Sequence, residues 1–98
     1  MVYFVVTVYT DKSSDKREYE SYIREVKPIV ESFGGRYLVR TDDVIPLSEK
    51  WKPDRVIIIE WESREQLETC FESAEYRRIA AKRENSVDSR AIIVGGED

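Results

Sequence analysis

Three side chains carry the chemistry this sequence offers: Arg36, Arg40 and Glu60. Arg36 and Arg40 stand four apart in the run RYLVRT, a spacing that places both on one face of an extended strand. Glu60 lies near the end of the next apolar run, RVIIIEW. An antiparallel hairpin centred near Ser48 brings Arg36 opposite Glu60. An arginine–carboxylate pair on a half-buried sheet suits anion binding or acid–base work, because the planar guanidinium fork matches a carboxylate or an enolate. The same pair also suits a second role, as a charge pair that sets register between subunits. An adjacent arginine favours the ionised carboxylate, which works against Glu60 as a general base. Tyr3, Tyr9 and Trp51 are the apolar walls that a pocket around this cluster would use.

Other chemistry is narrowed by composition. The 98 residues contain no histidine and one cysteine, Cys70. Histidine-ligated metals, serine–histidine and cysteine–histidine nucleophiles and intrachain disulfides are therefore excluded. No metal and no cofactor is expected. Cys70 falls on an apolar helical stripe with Leu67 and reads as a buried, inert thiol. Asp42-Asp43 with Glu49 is a weak cation signal. Gly34-Gly35 follows a helix and precedes a strand, the reverse of a phosphate-binding loop. The six tyrosines suit an amphipathic core and interface as well as a ligand pocket. Trp61 reads as core, and Trp51, on a loop beside Pro53, reads as a pocket clamp or a contact to a partner. Arg77-Arg78 and Lys82-Arg83 form a basic helix face balanced by Glu72, Glu75 and Glu84. Sixteen basic against twenty acidic residues leave a net charge of −4, which disfavours nucleic acid and anionic membranes as partners. Neither a signal peptide nor a membrane span is expected, and the lone cysteine fits a cytoplasmic protein.

The elements that position these residues follow from periodicity. Residues 2–9, VYFVVTVY, form a β-branched and aromatic strand. Tyr19, Tyr22, Ile23, Val26, Ile29, Val30 and Phe33 recur every three or four residues, which predicts a helix over 15–33. Ser14 or Asp15 would cap it, Pro28 would sit inside it, and Gly34-Gly35 would end it. Strands follow at 36–41, with a ragged extension over 44–47, and at 55–61. Ser63, with Gln66 three residues on, marks a second helix start. Ser73-Ala74-Glu75 marks a break and a fresh start. The last strand covers 90–94 and stops at Gly95-Gly96. One domain over residues 1–98 is expected, α+β in class. Its order is the ferredoxin-like βαββαβ, a four-stranded antiparallel sheet with two helices on one face.

Strand parity divides the sheet. Phe4, Val6, Val8, Tyr37, Val39, Ile57, Ile59, Trp61, Ile92 and Val94 are assigned to the helix side. Tyr3, Val5, Thr7, Tyr9, Arg36, Leu38, Arg40, Val56, Ile58, Glu60, Ala91 and Ile93 are assigned to the other. So many aliphatics on a face without a third layer call for a cover, and a second copy of the chain is the simplest one. A homodimer through the sheet face is therefore expected.

The segments Gly34–Arg40 (GGRYLVR), Trp51–Arg55 (WKPDR), Val56–Glu60 and Ser73–Tyr76 (SAEY) resemble a small bacterial family of domains of unknown function in the dimeric α/β-barrel superfamily. The family pattern IEFPS stands here as Ile59-Glu60-Trp61-Glu62-Ser63, without the proline. The resemblance implies a ferredoxin-like subunit pairing its sheet with a twofold mate. It also implies an uncharacterised homodimer that binds a small anionic or aromatic ligand. The alternative it implies is a cofactor-independent monooxygenase or isomerase acting on a small aromatic or lactone substrate.

Overall fold

In the computed structural model, which describes residues 1–10, 16–84 and 88–96, seven elements follow one another. They are β1 (Val2–Tyr9), α1 (Lys16–Ser32), β2 (Arg36–Thr41), β3 (Arg55–Trp61), α2 (Arg64–Glu72), α3 (Ala74–Glu84) and β4 (Asp88–Gly95). The expected caps Ser14 and Asp15 lie outside the described residues. The strands form one antiparallel sheet in the order β2-β3-β1-β4, the ferredoxin-like order.

The core lies between one sheet face and the helices. Val6, Val8, Ile57, Ile59 and Trp61 meet Tyr19, Tyr22, Val26 and Val30 of α1, Leu67 and Cys70 of α2, and Tyr76 and Ile79 of α3. Phe71 holds the aromatic centre, with its ring centroid 4.7 Å from Phe4, 4.8 Å from Tyr76 and 5.7 Å from Trp61. Helix α1 runs through Pro28 and closes on a Schellman pair, Gly35 N–H to Val30 C=O at 3.0 Å and Gly34 N–H to Glu31 C=O at 3.1 Å. Gly34 takes φ +87°, where a side chain is strained, and Gly35 lies so close to Val30 and the Trp61 ring that a Cβ has no room. Ser63 caps α2 by accepting from the Gln66 amide. The second helix breaks at Ser73 as the sequence indicates, and the Ser73 hydroxyl then accepts from Tyr76 N–H to start α3.

Two parity assignments are corrected by the observed register. Leu38 is the extra residue of a bulge in β2: Tyr37 pairs with Ile59, but the next pair is Val39 with Ile58 and then Arg40 with Ile57. A bulge of one residue reverses the alternation beyond it. Val39 therefore joins the open face, and Arg40 joins the helix side. In β4 the assignment is reversed outright. Ile93 pairs with Phe4 and Ala91 with Val6, whereas Ile92 pairs with Val5 and Val94 with Tyr3. The run AIIV has no apolar–polar alternation to reveal its register, and β4 is an edge strand whose side chains stay largely exposed. The expected extension of β2 over 44–47 is also absent; the strand ends at Thr41.

The open face therefore carries Val5, Val39, Val56, Ile58, Ile92 and Val94, with Ile92 at 59% exposure. Among the described residues no helix is long and apolar enough to cross a membrane.

Candidate functional site

The sequence-derived cluster divides into three parts. Arg36 and Glu60 do meet, as register partners joined by a salt bridge on the open face. The pair is asymmetric: the Glu60 side chain is 10% exposed and that of Arg36 67%. Tyr3 is the next residue in the row, paired with Glu60 from the β1 side. Tyr9 and Trp51 form a second group at the other end of the same face. The Trp51 indole N–H donates to the Tyr9 hydroxyl at 2.9 Å, and the Arg90 guanidinium lies 4.8 Å from the Tyr9 ring centroid.

Arg40 is separated from both groups. Its guanidinium lies over the Tyr37 ring, 5.3 Å from the centroid, on the helix side of the sheet. Burial pushes the Tyr37 phenol up to about 12 even though Arg40 acts in the opposite direction. Tyr37 is therefore a neutral hydroxyl at physiological pH. The cause of the separation is the Leu38 bulge.

A site the sequence reading missed lies on the helix side, where the end of β1, the first turns of α1 and the hairpin roots of β2 and β3 converge. A cleft of about 560 Å³ is lined there by Thr10, Tyr19, Glu20, Ile23, Arg24, Asp42, Asp54 and Arg55. Arg55 is its central group. It opens β3 with the parity of Ile57, Ile59 and Trp61, so its stem enters the core side. Its Nη1 donates to Asp42 Oδ1 at 2.8 Å. Its Nε–H is buried with no hydrogen-bond partner among the described residues. The side chain is 22% exposed, against 73% for Asp42.

Asp54 braces the same corner. Its amide donates to Val8 C=O at 2.8 Å, and its Oδ2 accepts from Thr10 N–H at 2.8 Å. Asp54 is thus committed to backbone, and Asp42 to the Arg55 guanidinium. Tyr19 and Ile23 form the apolar wall, and both also line a void of about 30 Å³ within the core, beside Phe4, Phe71 and Tyr76. That volume holds about one water. The signal for Arg55 was present in the sequence: the alternation Arg55, Ile57, Ile59, Trp61 puts an arginine on the core-facing row.

The other candidates have ordinary surroundings. Cys70 is fully buried, and burial raises its thiol from 9.0 to about 11, with Glu75 adding to the effect. Tyr22 and Tyr76 share a hydroxyl–hydroxyl hydrogen bond of 3.3 Å within the core. Lys82 binds Glu25 at 2.9 Å and Ser21 at 3.1 Å, tying α3 to α1.

Comparison with known proteins adds the following. The family model described as Domain of unknown function (DUF1330) matches residues 1–97. No curated protein matches. Among solved structures, a protein of unknown function from Rhodopseudomonas palustris is similar with TM-score 0.83 and 20% identity, over 99% of this chain and 82% of that one. A dimeric ferredoxin-like protein of unknown function from Thermobifida fusca has TM-score 0.67 and 12% identity, over 94% and 87% of the two chains. SnoaB, a cofactor-independent oxygenase from Streptomyces nogalater, has TM-score 0.63 and 17% identity, over 99% and 93%. At these identities the likeness establishes the ferredoxin-like fold.

Proposed function

The chain belongs to the family Domain of unknown function (DUF1330), and we propose that it is a cytoplasmic homodimer whose helix-side cleft binds a small carboxylic acid with an apolar or aromatic body. The observation that carries this reading is Arg55. Its guanidinium is mostly buried on the cleft wall, and among the described residues its Nε–H has no hydrogen-bond partner and its ion pair is to an exposed aspartate. A buried unsatisfied donor costs free energy that an incoming acceptor recovers. The Asp42 contact is exchangeable, since the displaced carboxylate is 73% exposed and water solvates it while the ligand acid takes its place on Arg55. A ligand carboxylate can therefore take the Arg55 fork, with Arg24 at the same cleft and Tyr19 and Ile23 against its body. Glu20, Asp42 and Asp54 keep the cleft from being broadly cationic. That composition rejects polyphosphates and selects a single planar acid.

In this reading Arg36 and Glu60 are not ligand groups. They are a paired charge at one end of a subunit interface, beside Tyr3 and Val94, and the partner sheet covers the aliphatics Val5, Ile58 and Ile92. That a Thermobifida fusca protein of the same fold is dimeric supports the homodimer.

The test is titration with benzoate and phenylacetate, read by amide chemical shifts and by melting temperature. Saturable shifts at the cleft are expected in the native protein. In Arg55→Met the affinity should fall by about 10- to 150-fold, the equivalent of one charge-assisted hydrogen bond of about 1.5–3 kcal/mol. Indifference of the native protein to both acids at tens of millimolar, or equal binding by Arg55→Met, would overturn the reading.

A second reading keeps the cleft but adds chemistry: a cofactor-independent monooxygenase or isomerase acting on a small aromatic or lactone substrate. It draws on the SnoaB likeness and on the Glu20 carboxylate at the cleft. Dioxygen uptake with hydroxylated aromatics, abolished by Glu20→Gln, distinguishes it from simple binding.

A further inference from the structure

The segment 42–54 that joins β2 to β3 is built unlike a free surface loop. It is held at several points: Asp43 N–H to Thr41 Oγ1 at 2.9 Å, Val44 N–H to Asp42 C=O at 3.0 Å, and a bridge between Ser48 and Trp51. Trp51 is bonded to Tyr9, which lies on the open face of the sheet. Yet this held segment presents its apolar side chains to solvent, with Ile45 82% exposed, Leu47 98% and Trp51 58%. A surface built of scattered single apolar residues needs no explanation, but three on one braced segment beside an open apolar sheet face do.

Area identifies the occupant. A sheet of four strands about 4.8 Å apart and about eight residues long covers a footprint of roughly 500 Å². A stable interface needs about 800 Å² from each partner. A flat footprint understates accessible area, so the sheet face alone brings an interface near that threshold, and the braced segment, adjoining it through the Tyr9–Trp51 bond, carries it past. We infer that segment 42–54 is a dimer clasp: its apolar tip, Ile45 and Leu47, packs on the second copy of this chain, and Trp51 continues the interface from the sheet face onto the clasp. The inference rests on the homodimer reading above and adds to it the residues that make the dimer tight. Twofold symmetry requires each clasp to meet the other subunit, so each side chain is buried twice per dimer.

The experiment is sedimentation equilibrium of the native chain and of the double variant Ile45→Ser, Leu47→Ser, with circular dichroism of both. These side chains make no buried contact within the subunit, so the variant should fold as the native chain does. Loss of both should raise the dimer dissociation constant by roughly ten-thousandfold, about tenfold for each of the contacts that Ile45 and Leu47 make twice per dimer. A native dimer matched by an equally tight variant dimer would overturn the clasp while sparing the sheet-face interface. A native chain monomeric throughout the micromolar range would overturn the homodimer itself. Ile58→Asp on the sheet face provides the independent arm: it should dissociate the dimer with the clasp intact, and a dimer unaffected by it would place the interface elsewhere.

Discussion

Replacing Arg36 by methionine should damage this protein far more than replacing its partner Glu60 by glutamine. The argument lies in the exposure of the two ends of one ion pair. Glu60 is 10% exposed, so Arg36→Met leaves a carboxylate with little access to water and no counter-charge. Stranding such a group costs about 2–3 kcal/mol, between the penalty for a buried unsatisfied polar group and that for a fully buried broken pair. Arg36 is 67% exposed, so Glu60→Gln leaves a guanidinium that water solvates, at about 1 kcal/mol or less. In the double variant both charges are gone, and its cost should be nearer 1 kcal/mol than the sum. Urea denaturation of the four proteins closes the cycle. With a slope near 1 kcal/mol/M for a chain of this length, Arg36→Met should lower the midpoint by about 2–3 M. The measurement belongs at two protein concentrations, because a partner sheet that closes over Arg36 makes Glu60→Gln costlier in a concentration-dependent way. Equal costs for the two single variants at low concentration, or strict additivity in the double variant, would refute the reasoning.

Three further outcomes follow from the packing. Gly35→Ala should lose about 1–3 kcal/mol, because the added methyl would lie 2.5 Å from Val30 Cγ1 and 2.9 Å from the Trp61 ring. Gly95→Ala, which meets nothing within 4 Å, should be near neutral, and calorimetry of the pair checks both. At pH 8 the Cys70 thiol, held up at about 11 by burial, is thiolate in roughly one molecule per thousand, so a disulfide reagent should label the native protein only as fast as it opens. Both raised groups bind their protons more tightly in the folded state. Their contribution is therefore complete below pH 9 and is lost as pH climbs to about 11 for Cys70 and from 10 to about 12 for Tyr37. Melting temperature should fall across that range, and Cys70→Ala should remove the lower part of the fall.

Much of the fold is legible because its elements are strongly marked. Alternation in VYFVVTVY and RVIIIEW assigns β1 and β3 to their correct faces, the helical stripe from Tyr19 to Phe33 defines α1, and Ser63 and Ser73 mark two helix starts. What is not legible has local physical causes. The AIIV run of β4 is apolar on both faces, so its register comes only from pairing with β1. The Leu38 bulge depends on how β2 meets β3, and nothing in RYLVRT itself announces an extra residue.

That bulge also explains why the candidate site moved. Without it, Arg36 and Arg40 would both lie on the open face, Arg36 opposite Glu60 and Arg40 opposite Val56, about 13 Å along the sheet, and Arg40 would be a cation to spare for a ligand. With it, the open face pairs Arg36 with Glu60 and Arg90 with Asp88, balanced charges suited to burial under a second subunit. Arg40 passes to the helix side, where it lies over the Tyr37 ring. Arg55, on that same side by the parity of β3, has an Nε–H without a hydrogen-bond partner among the described residues at the cleft. The inserted residue thus moves Arg40 alone, and the open face keeps only charges that are paired there. Deleting Leu38 removes the extra residue and leaves the rest of β2 opposite the partners it already has, Val39 with Ile58 and Arg40 with Ile57. Arg40 should therefore stay on the helix side, Arg36 should stay with Glu60, and the dimer should be about as tight as that of the native chain. Sedimentation of the deletion variant, with circular dichroism to confirm the fold, decides it: a folded variant whose dimer is markedly weaker would show that the bulge does more at the interface than set the face of Arg40.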